Sequence, residues 1–322
     1  MNDDELKRQL YAARTAALVV PSPWRATLEV TGKDRLTWLN GLVTCELAKR
    51  APGDAVYGLL VAKNGRVQAD VAVVVDETRV LLSLPQHAAE AIRTHLDHYL
   101  IMEDAEVAAG SDGFDTYAVH GPRAMDVLLA ARAAGGVGGE LDRTRLGGAI
   151  VLAPKERGAN GNCNTAVRAV IEHALTEMGG AFGDERAWET LRVEQAIPRF
   201  GVDFDGATYP QEAGLEKIAV SFSKGCYLGQ EVVCMLEMRG KVKRKLVALE
   251  LDEGAVPERG ARVSANAEGD VVAGEITSAL ASPTLGRPVA IAMVKAAHAD
   301  PGTVLHVAGA RATIVGEHLT RI

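Results

Sequence analysis

Four cysteines in 322 residues (Cys45, Cys163, Cys226 and Cys234) are too few for a disulfide scaffold of this length. None forms a C-x-x-C pair, and the spacing of Cys226 to Cys234 is not one common in zinc or iron–sulphur ligation. His95 and His98 can share a helix face, but no adjacent cysteine or carboxylate pattern completes a metal site. Long apolar runs are missing as well: Ala16 to Val20 falls far short of the roughly 18 residues that a bilayer crossing needs, so no membrane partner is expected. The opening Met-Asn-Asp-Asp-Glu is acidic, whereas secretory and mitochondrial leaders begin basic, and the expected compartment is the cytosol. Positive charge is not in excess. A formal net charge of −7 argues against a protein that coats nucleic acid or an anionic membrane. The hydrolase signatures G-x-S-x-G and H-E-x-x-H and the nucleotide loop G-x-x-x-x-G-K-[ST] do not occur.

What is present is a chain able to bury substantial cores, with 48% apolar and 24% charged residues. Its length exceeds the roughly 250–300 residues at which one core stops growing, so two or three compact units are expected. Leu6, Leu10, Ala13 and Ala17 recur at helical spacing over 3–18, and a strand follows near Trp24 to Val30. A short helix over Lys33 to Asn40 directs Leu36 and Leu39 inward. Val56 to Val61 and Val67 to Val75 flank Lys63-Asn-Gly65, and Asn-Gly is a strong hairpin signal. Arg79 to Leu84 continues this sheet, and a helix from Gln86 to about Ile101 closes it. Further on, strands are expected at Thr116 to His120, Ala149 to Ala153 and Ala166 to Glu172, with a helix from Arg123. The glycine-rich stretches Gly135 to Gly139 and Gly158 to Gly161 read as loops. Asp184 is placed to cap a helix running to Ala196. After residue 242 short β-rich runs alternate with Gly, Pro and Asp turns, the texture of a small sandwich or barrel.

The segment richest in chemistry is Lys224-Gly-Cys-Tyr-Leu-Gly-Gln-Glu231. Gly225 and Gly229 bracket the thiol of Cys226 and permit a tight backbone or a close ligand approach. Lys224 stands two residues upstream, and an apolar-periodic run begins after Gly229, so a cation and a helix N-terminus both lie close enough in sequence to lower the thiol's pKa. A buried structural cysteine is the alternative reading of the same residues. The only dense basic run, Arg239, Lys241, Lys243, Arg244 and Lys245, reads as a solvated linker or as a grip for an anionic tail or a phosphate. No aromatic residues interleave it, which argues against stacking on single-stranded RNA.

K-G-C-[aromatic]-x-G-Q-E resembles the signature of the YgfZ family. Its flanks agree: Arg199-Phe-Gly-Val-Asp203, Tyr209-Pro-Gln-Glu212 and Arg239-Gly-Lys-Val-Lys-Arg244 lie around it, and Gly32-Lys-Asp34, Leu39-Asn-Gly41, Thr44 and Lys63-Asn-Gly-Arg-Val67 match the family's opening. The resemblance spans roughly 26–105 and 185–250. That family is similar in turn to the glycine-cleavage aminomethyltransferases (the GcvT superfamily), which hold tetrahydrofolate in a central channel. The resemblance therefore implies an α+β, three-domain aminomethyltransferase-like ring: an N-terminal folate-binding unit over 1–105, a second α+β unit over 106–242, with these two free to interleave in chain order, and a C-terminal β-barrel over 243–322. It implies a folate-binding accessory protein supporting the synthesis or repair of iron–sulphur enzymes, including those that modify tRNA, with iron–sulphur client or assembly proteins as partners and no direct nucleic-acid contact.

Under that resemblance Cys226 and Lys224 are the candidate catalytic residues. Glu194, Asp70, Tyr227, Gly229, Gln230 and Arg244 are the candidate cofactor contacts, with Glu194 in the position of the pterin-binding carboxylate and Arg244 toward the anionic glutamate tail. In the transferases an aspartate stands where this chain has Cys226 and a base where it has Gln230. Their acidic pair is reduced here to Ala69-Asp70. The alternative function is a true tetrahydrofolate-dependent aminomethyl- or methyltransferase. A thiol-redox protein is a third reading, with Cys234 as the sequence-local partner of Cys226.

Overall fold

A computed structural model of the chain describes residues 3–109, 113–155, 166–252 and 254–316. These fall into two compact units: the described residues up to Ala187 together with Ile218–Gln230, and Trp188–Lys217 together with the described residues from Glu231 onward.

The first unit is built on two five-stranded sheets. One runs in the order Ala55–Val61, Val67–Val75, Val80–Pro85, Arg25–Thr31, Glu106–Ala109, antiparallel throughout. The strand Val67–Val75 is nearly continuous in valine and alanine because both of its faces are covered. Ala69, Val71 and Val73 enter a core with Leu28, Leu39, Leu82 and Leu96. From the opposite face Ala72 and Val74 meet Phe114, Ile150 and Leu152 of the other sheet. Along this second face the side chains turn polar at Asp70. The other sheet runs Ala181–Phe182, Leu18–Pro21, Phe114–His120, Gly148–Pro154, Val137–Glu140, and its single parallel pairing joins Leu18–Pro21 to Ala181–Phe182. The helices Ala124–Ala133 and Ala166–Met178 bury Val127, Leu128, Ile171 and Leu175 against it.

The second unit centres on a closed six-stranded barrel, ordered Arg244–Leu251, Arg287–Lys295, Val272–Ser282, Arg262–Ser264, Val304–Val307, Ala310–Val315. Period-two alternation fills it: Val247, Leu249 and Leu251 point into the barrel core, while Ala248 faces a separate cluster with Val193, Val289 and Ile291. Closure leaves these strands no open edge, which suits a small all-β body.

The α+β class and the C-terminal barrel are both present, and each β-rich run expected after residue 242 contributes a barrel strand. Asp184 caps its helix, accepting the Ala187 N–H at 3.0 Å on Oδ1. Four expectations need correction: to begin with, the helical segment from Gln86 ends at Asp97 and not near Ile101. Residues 166–172 begin a helix, not a strand: their β-branched content misled, but Val167, Ile171 and Leu175 form one helical stripe against the sheet. Gly135 to Gly139 is not wholly loop, because Val137–Glu140 pairs as an edge strand. There Gly138 and Gly139 leave no room for side chains: a Cβ at Gly138 would stand 2.1 Å from the Ile150 carbonyl oxygen. The N-terminal helix stops at Thr15, and Leu18–Pro21 forms a buried strand of its own. Cys163 and Gly158 to Gly161 lie outside the described residues. No helix among the described residues is long and apolar enough to cross a membrane.

His120 ends a central strand of the second sheet and is 5% exposed. Burial pushes its imidazole down to about 4, a trend nearby Asp142 opposes and Arg143 reinforces. The unfolded chain therefore takes up a proton between about pH 6.5 and 4 that the folded chain refuses, and stability falls as pH drops through that window. Urea unfolding at pH 7 and pH 4.5 should show a smaller acid loss in His120→Gln than in the natural sequence, by up to about 3 kcal/mol.

Candidate functional site

Asp70 is 4% exposed on a strand that is otherwise almost wholly apolar. Consecutive strand residues point to opposite faces, so Ala69 enters the apolar core while Asp70 faces the polar half of the sheet. A carboxylate at position 69 would sit among Leu28, Leu60 and Val71, away from Asp70. The alanine there removes nothing from the Asp70 face.

Around Asp70 the sheet gathers a fixed set of donors. The Tyr57 hydroxyl donates to Asp70 Oδ2 at 3.2 Å, and Arg25 Nη1 reaches the same oxygen at 3.4 Å. Arg143 Nη1 stands 3.8 Å from it, with its guanidinium 4.0 Å over the centre of the Tyr57 ring. Arg25 is itself anchored by Ser83, donating from Nε to the hydroxyl at 2.9 Å and from Nη2 to the carbonyl at 2.5 Å. Burial raises the Tyr57 phenol above its ordinary range, which keeps it a donor. All these contacts converge on Oδ2, and Oδ1 makes no hydrogen bond to a described residue. Gln68, two residues before Asp70 at a bulge in the strand pairing, has a buried Oε1 with no hydrogen-bond partner among the described residues, as does Thr27 Oγ1. Buried polar atoms without partners are rare in folded proteins. Arg25, Tyr57 and Arg143 escaped the sequence reading. Alternation of Arg25, Thr27 and Glu29 was a legible signal; Arg143 carried none.

The Lys224-to-Glu231 segment is held against the same sheet by main-chain and side-chain staples. Ser221 N–H donates to the Thr44 carbonyl, Leu228 N–H to the Gly41 carbonyl, and the Thr44 hydroxyl to the Ala219 carbonyl. Lys224 is 7% exposed, and its ammonium donates to the carbonyls of Asn40, Val43 and Cys45 at 2.6, 2.8 and 2.6 Å. An ammonium has three donors, and all three are committed to the 40–45 turn, so none points to the thiol of Cys226. Burial pushes the lysine down to about 8, opposed by the neighbouring Cys45 and Glu46. Tyr227 is buried, with the ammonium 5.3 Å from its ring centre. Cys226 is exposed, in contrast to Cys45, whose thiol burial pushes up to about 12. Gly229 has φ +79°, and a Cβ there would lie 2.4 Å from the Ala62 carbonyl oxygen. The helix Gln230–Met238 starts directly after it, with Gln230 half-buried in its first turn.

In the second unit Glu194 is fully buried. Its carboxylate accepts the Ser282 hydroxyl at 2.5 Å and the Thr284 hydroxyl at 3.0 Å. Arg192, two residues earlier and 1% exposed, donates to Asp203 at 2.9 Å, to the Ser278 hydroxyl and to Glu189. Asp203 also accepts the Thr277 and Ser278 hydroxyls, at 2.6 and 2.7 Å. Burial alone would raise Glu189, but Arg192 and Arg199 outweigh it and hold the carboxyl below its ordinary range. Arg244 begins the first barrel strand and donates to Glu212 at 3.3 Å and to the Ala207 carbonyl at 2.9 Å. Asp70 and the Lys224-to-Gln230 segment thus belong to the first unit, and Glu194 and Arg244 to the second. No cluster of three or more His, Cys, Asp or Glu side chains among the described residues is arranged to hold a metal.

Two family models match the chain: the GCVT N-terminal domain over residues 3–135 and the glycine cleavage T-protein C-terminal barrel domain over residues 244–317. A protein named probable aminomethyltransferase from Halobacterium salinarum is 30% identical over 94% of this chain and 86% of its own length. The aminomethyltransferase of Streptomyces coelicolor is 29% identical over 92% of this chain and 83% of its own. The crystal structure of glycine cleavage system aminomethyltransferase T from Bartonella henselae superposes with a TM-score of 0.81 at 20% identity, covering 98% of this chain and 90% of that one, and shows a shared fold.

Replacing Lys224 by methionine leaves three enclosed carbonyls without donors and should destabilise the first unit by about 2–4 kcal/mol. Cys226→Ser, at an exposed position, should stay within about 0.5 kcal/mol of the natural sequence. Guanidinium unfolding of both variants provides the comparison.

Proposed function

We propose that this chain, which belongs to the glycine-cleavage T-protein superfamily, is a tetrahydrofolate-dependent aminomethyl- or methyltransferase. The observation that carries this reading is the state of Asp70: one oxygen fixed by Tyr57, Arg25 and Arg143, the other without a described partner. Tetrahydrofolate, when bound, supplies the amine nitrogen that accepts a one-carbon group. As the one-carbon group leaves its donor, whose departing group keeps the electron pair of the broken bond, a proton would be released from the accepting nitrogen, and Asp70 Oδ1 is the acceptor we assign to that proton. The clamp on Oδ2 fixes the carboxylate's orientation, which general-base catalysis demands. Glu194 fits a pterin contact less well than Asp70, because it is fully buried and its oxygens already accept hydroxyl hydrogen bonds.

A second reading rests on Cys226. Its thiol is exposed in a segment that Lys224 holds rigid, and the K-G-C-Y-L-G-Q-E pattern supports an accessory role of the YgfZ type toward iron–sulphur enzymes. In that role the thiol, and not Asp70, is the working group, with Tyr227, Gly229 and Gln230 shaping its surroundings.

The two readings separate in one assay, the formation of methylene- or methyltetrahydrofolate from a one-carbon donor, followed by mass spectrometry. The transferase reading expects turnover that falls by about 10²–10⁴-fold in Asp70→Asn and changes by less than about twofold in Cys226→Ala. Turnover indifferent to Asp70, or none from the natural sequence while Cys226→Ala impairs iron–sulphur enzymes in cells, would favour the accessory role.

A further inference from the structure

The second unit contains a cavity of about 280 Å³ that takes no part in the Asp70 chemistry. Asp203, Phe204, Thr277 and Met293 are among its lining residues, together with the charged side chains Asp205, Arg244, Arg259 and Glu275. Asp203 is held by Arg192, the Arg199 N–H and the hydroxyls of Thr277 and Ser278, so its charge is already answered.

The groups around the cavity are pinned yet have capacity to spare. Arg259 Nη2 donates to the Val202 carbonyl at 2.8 Å, leaving Nη1 and Nε without hydrogen bonds to described residues. Arg244 is fixed through Nε and Nη2 by Glu212 and Ala207, leaving Nη1. Asp205 accepts the Ala207 N–H and the Thr208 hydroxyl on Oδ1, leaving Oδ2. Glu275 makes no ion pair or side-chain hydrogen bond with a described residue. With Asp203 paired to Arg192, the lining still carries both signs of charge, Arg259 and the Glu212-paired Arg244 beside Asp205 and Glu275.

We infer that this cavity binds a small zwitterion, a free α-amino acid, with its carboxylate on Arg244 and Arg259 and its ammonium on Glu275 and Asp205. Charge and size both select against the anionic tail of a folate. A polyanion would meet two carboxylates, and the volume lies just below the roughly 300–1,000 Å³ of sites for larger ligands. Ile276 turns its side chain into the barrel core, so Met293 and Phe204 are the apolar side chains left on the lining, enough for a small or unbranched apolar side chain. The site is independent of the Asp70 chemistry and stands or falls without it.

Calorimetric titration of glycine and L-methionine into the full chain, without folate, tests the inference, with succinate and tri-γ-glutamate as anionic controls. An amino acid should bind saturably, and about tenfold more weakly in both Glu275→Gln and Arg259→Gln, each checked by thermal melting to remain folded. Glu275→Gln separates the chemistries by sign, because removing a negative charge weakens a zwitterion and strengthens an anion. No saturation by either amino acid below about 10 mM would overturn the proposal. So would affinity unchanged in both variants, or preferred binding of tri-γ-glutamate that tightens in Glu275→Gln.

Discussion

A carboxylate buried in a β-sheet persists only where cations and donors replace the water it has lost, and Asp70 meets that condition on one side only. Arg25, Arg143 and Tyr57 converge on Oδ2 and leave Oδ1 to other partners. Were the carboxylate there for stability alone, an apolar residue would serve as well or better, since buried ion pairs barely repay their desolvation. The arrangement makes sense as a held reactive group. It depends on the sheet: strand alternation sends Ala69 into the apolar core and Asp70 to the polar face, and Ser83 on the neighbouring strand fixes Arg25.

The same rule of local satisfaction recurs in both units. Lys224 spends its ammonium on three carbonyls of the 40–45 turn and so ties the Cys226 segment to that turn, which bridges through Val43 to Leu60 on the strand beside Asp70's own. In the second unit Arg192 neutralises Asp203 on the cavity lining, which leaves the other charged groups there to respond to a ligand. Each buried charge is answered inside its own unit. Specific geometry, more than net stability, is what such pairs contribute here.

Much of this was legible in the chain. The Asn-Gly hairpin, the Asp184 cap and the barrel strands follow from local rules of turn chemistry and period-two patterning, and the structure contains each of them. Asp70 and Glu194 could be singled out by resemblance, but not their surroundings. Arg143 reaches Asp70 from a loop 73 positions away in sequence, and Thr284 reaches Glu194 across 90. No local pattern encodes such meetings. Lys224 shows the opposite failure: proximity in sequence to Cys226 suggested a thiol partner, whereas its long side chain turns inward to carbonyls about 180 residues away. The 166–172 segment was misread because β-branched residues at helical spacing satisfy both patterns over a short window.

The central claim is that the Asp70 face receives a folate. The most direct measurement is calorimetric titration of tetrahydrofolate into the natural sequence and into Asp70→Asn. The account predicts saturable, stoichiometric binding that weakens by about tenfold or more when the carboxylate becomes an amide, because a charge-assisted hydrogen bond is lost. Binding that ignores the substitution, or no binding by the natural sequence, would contradict it.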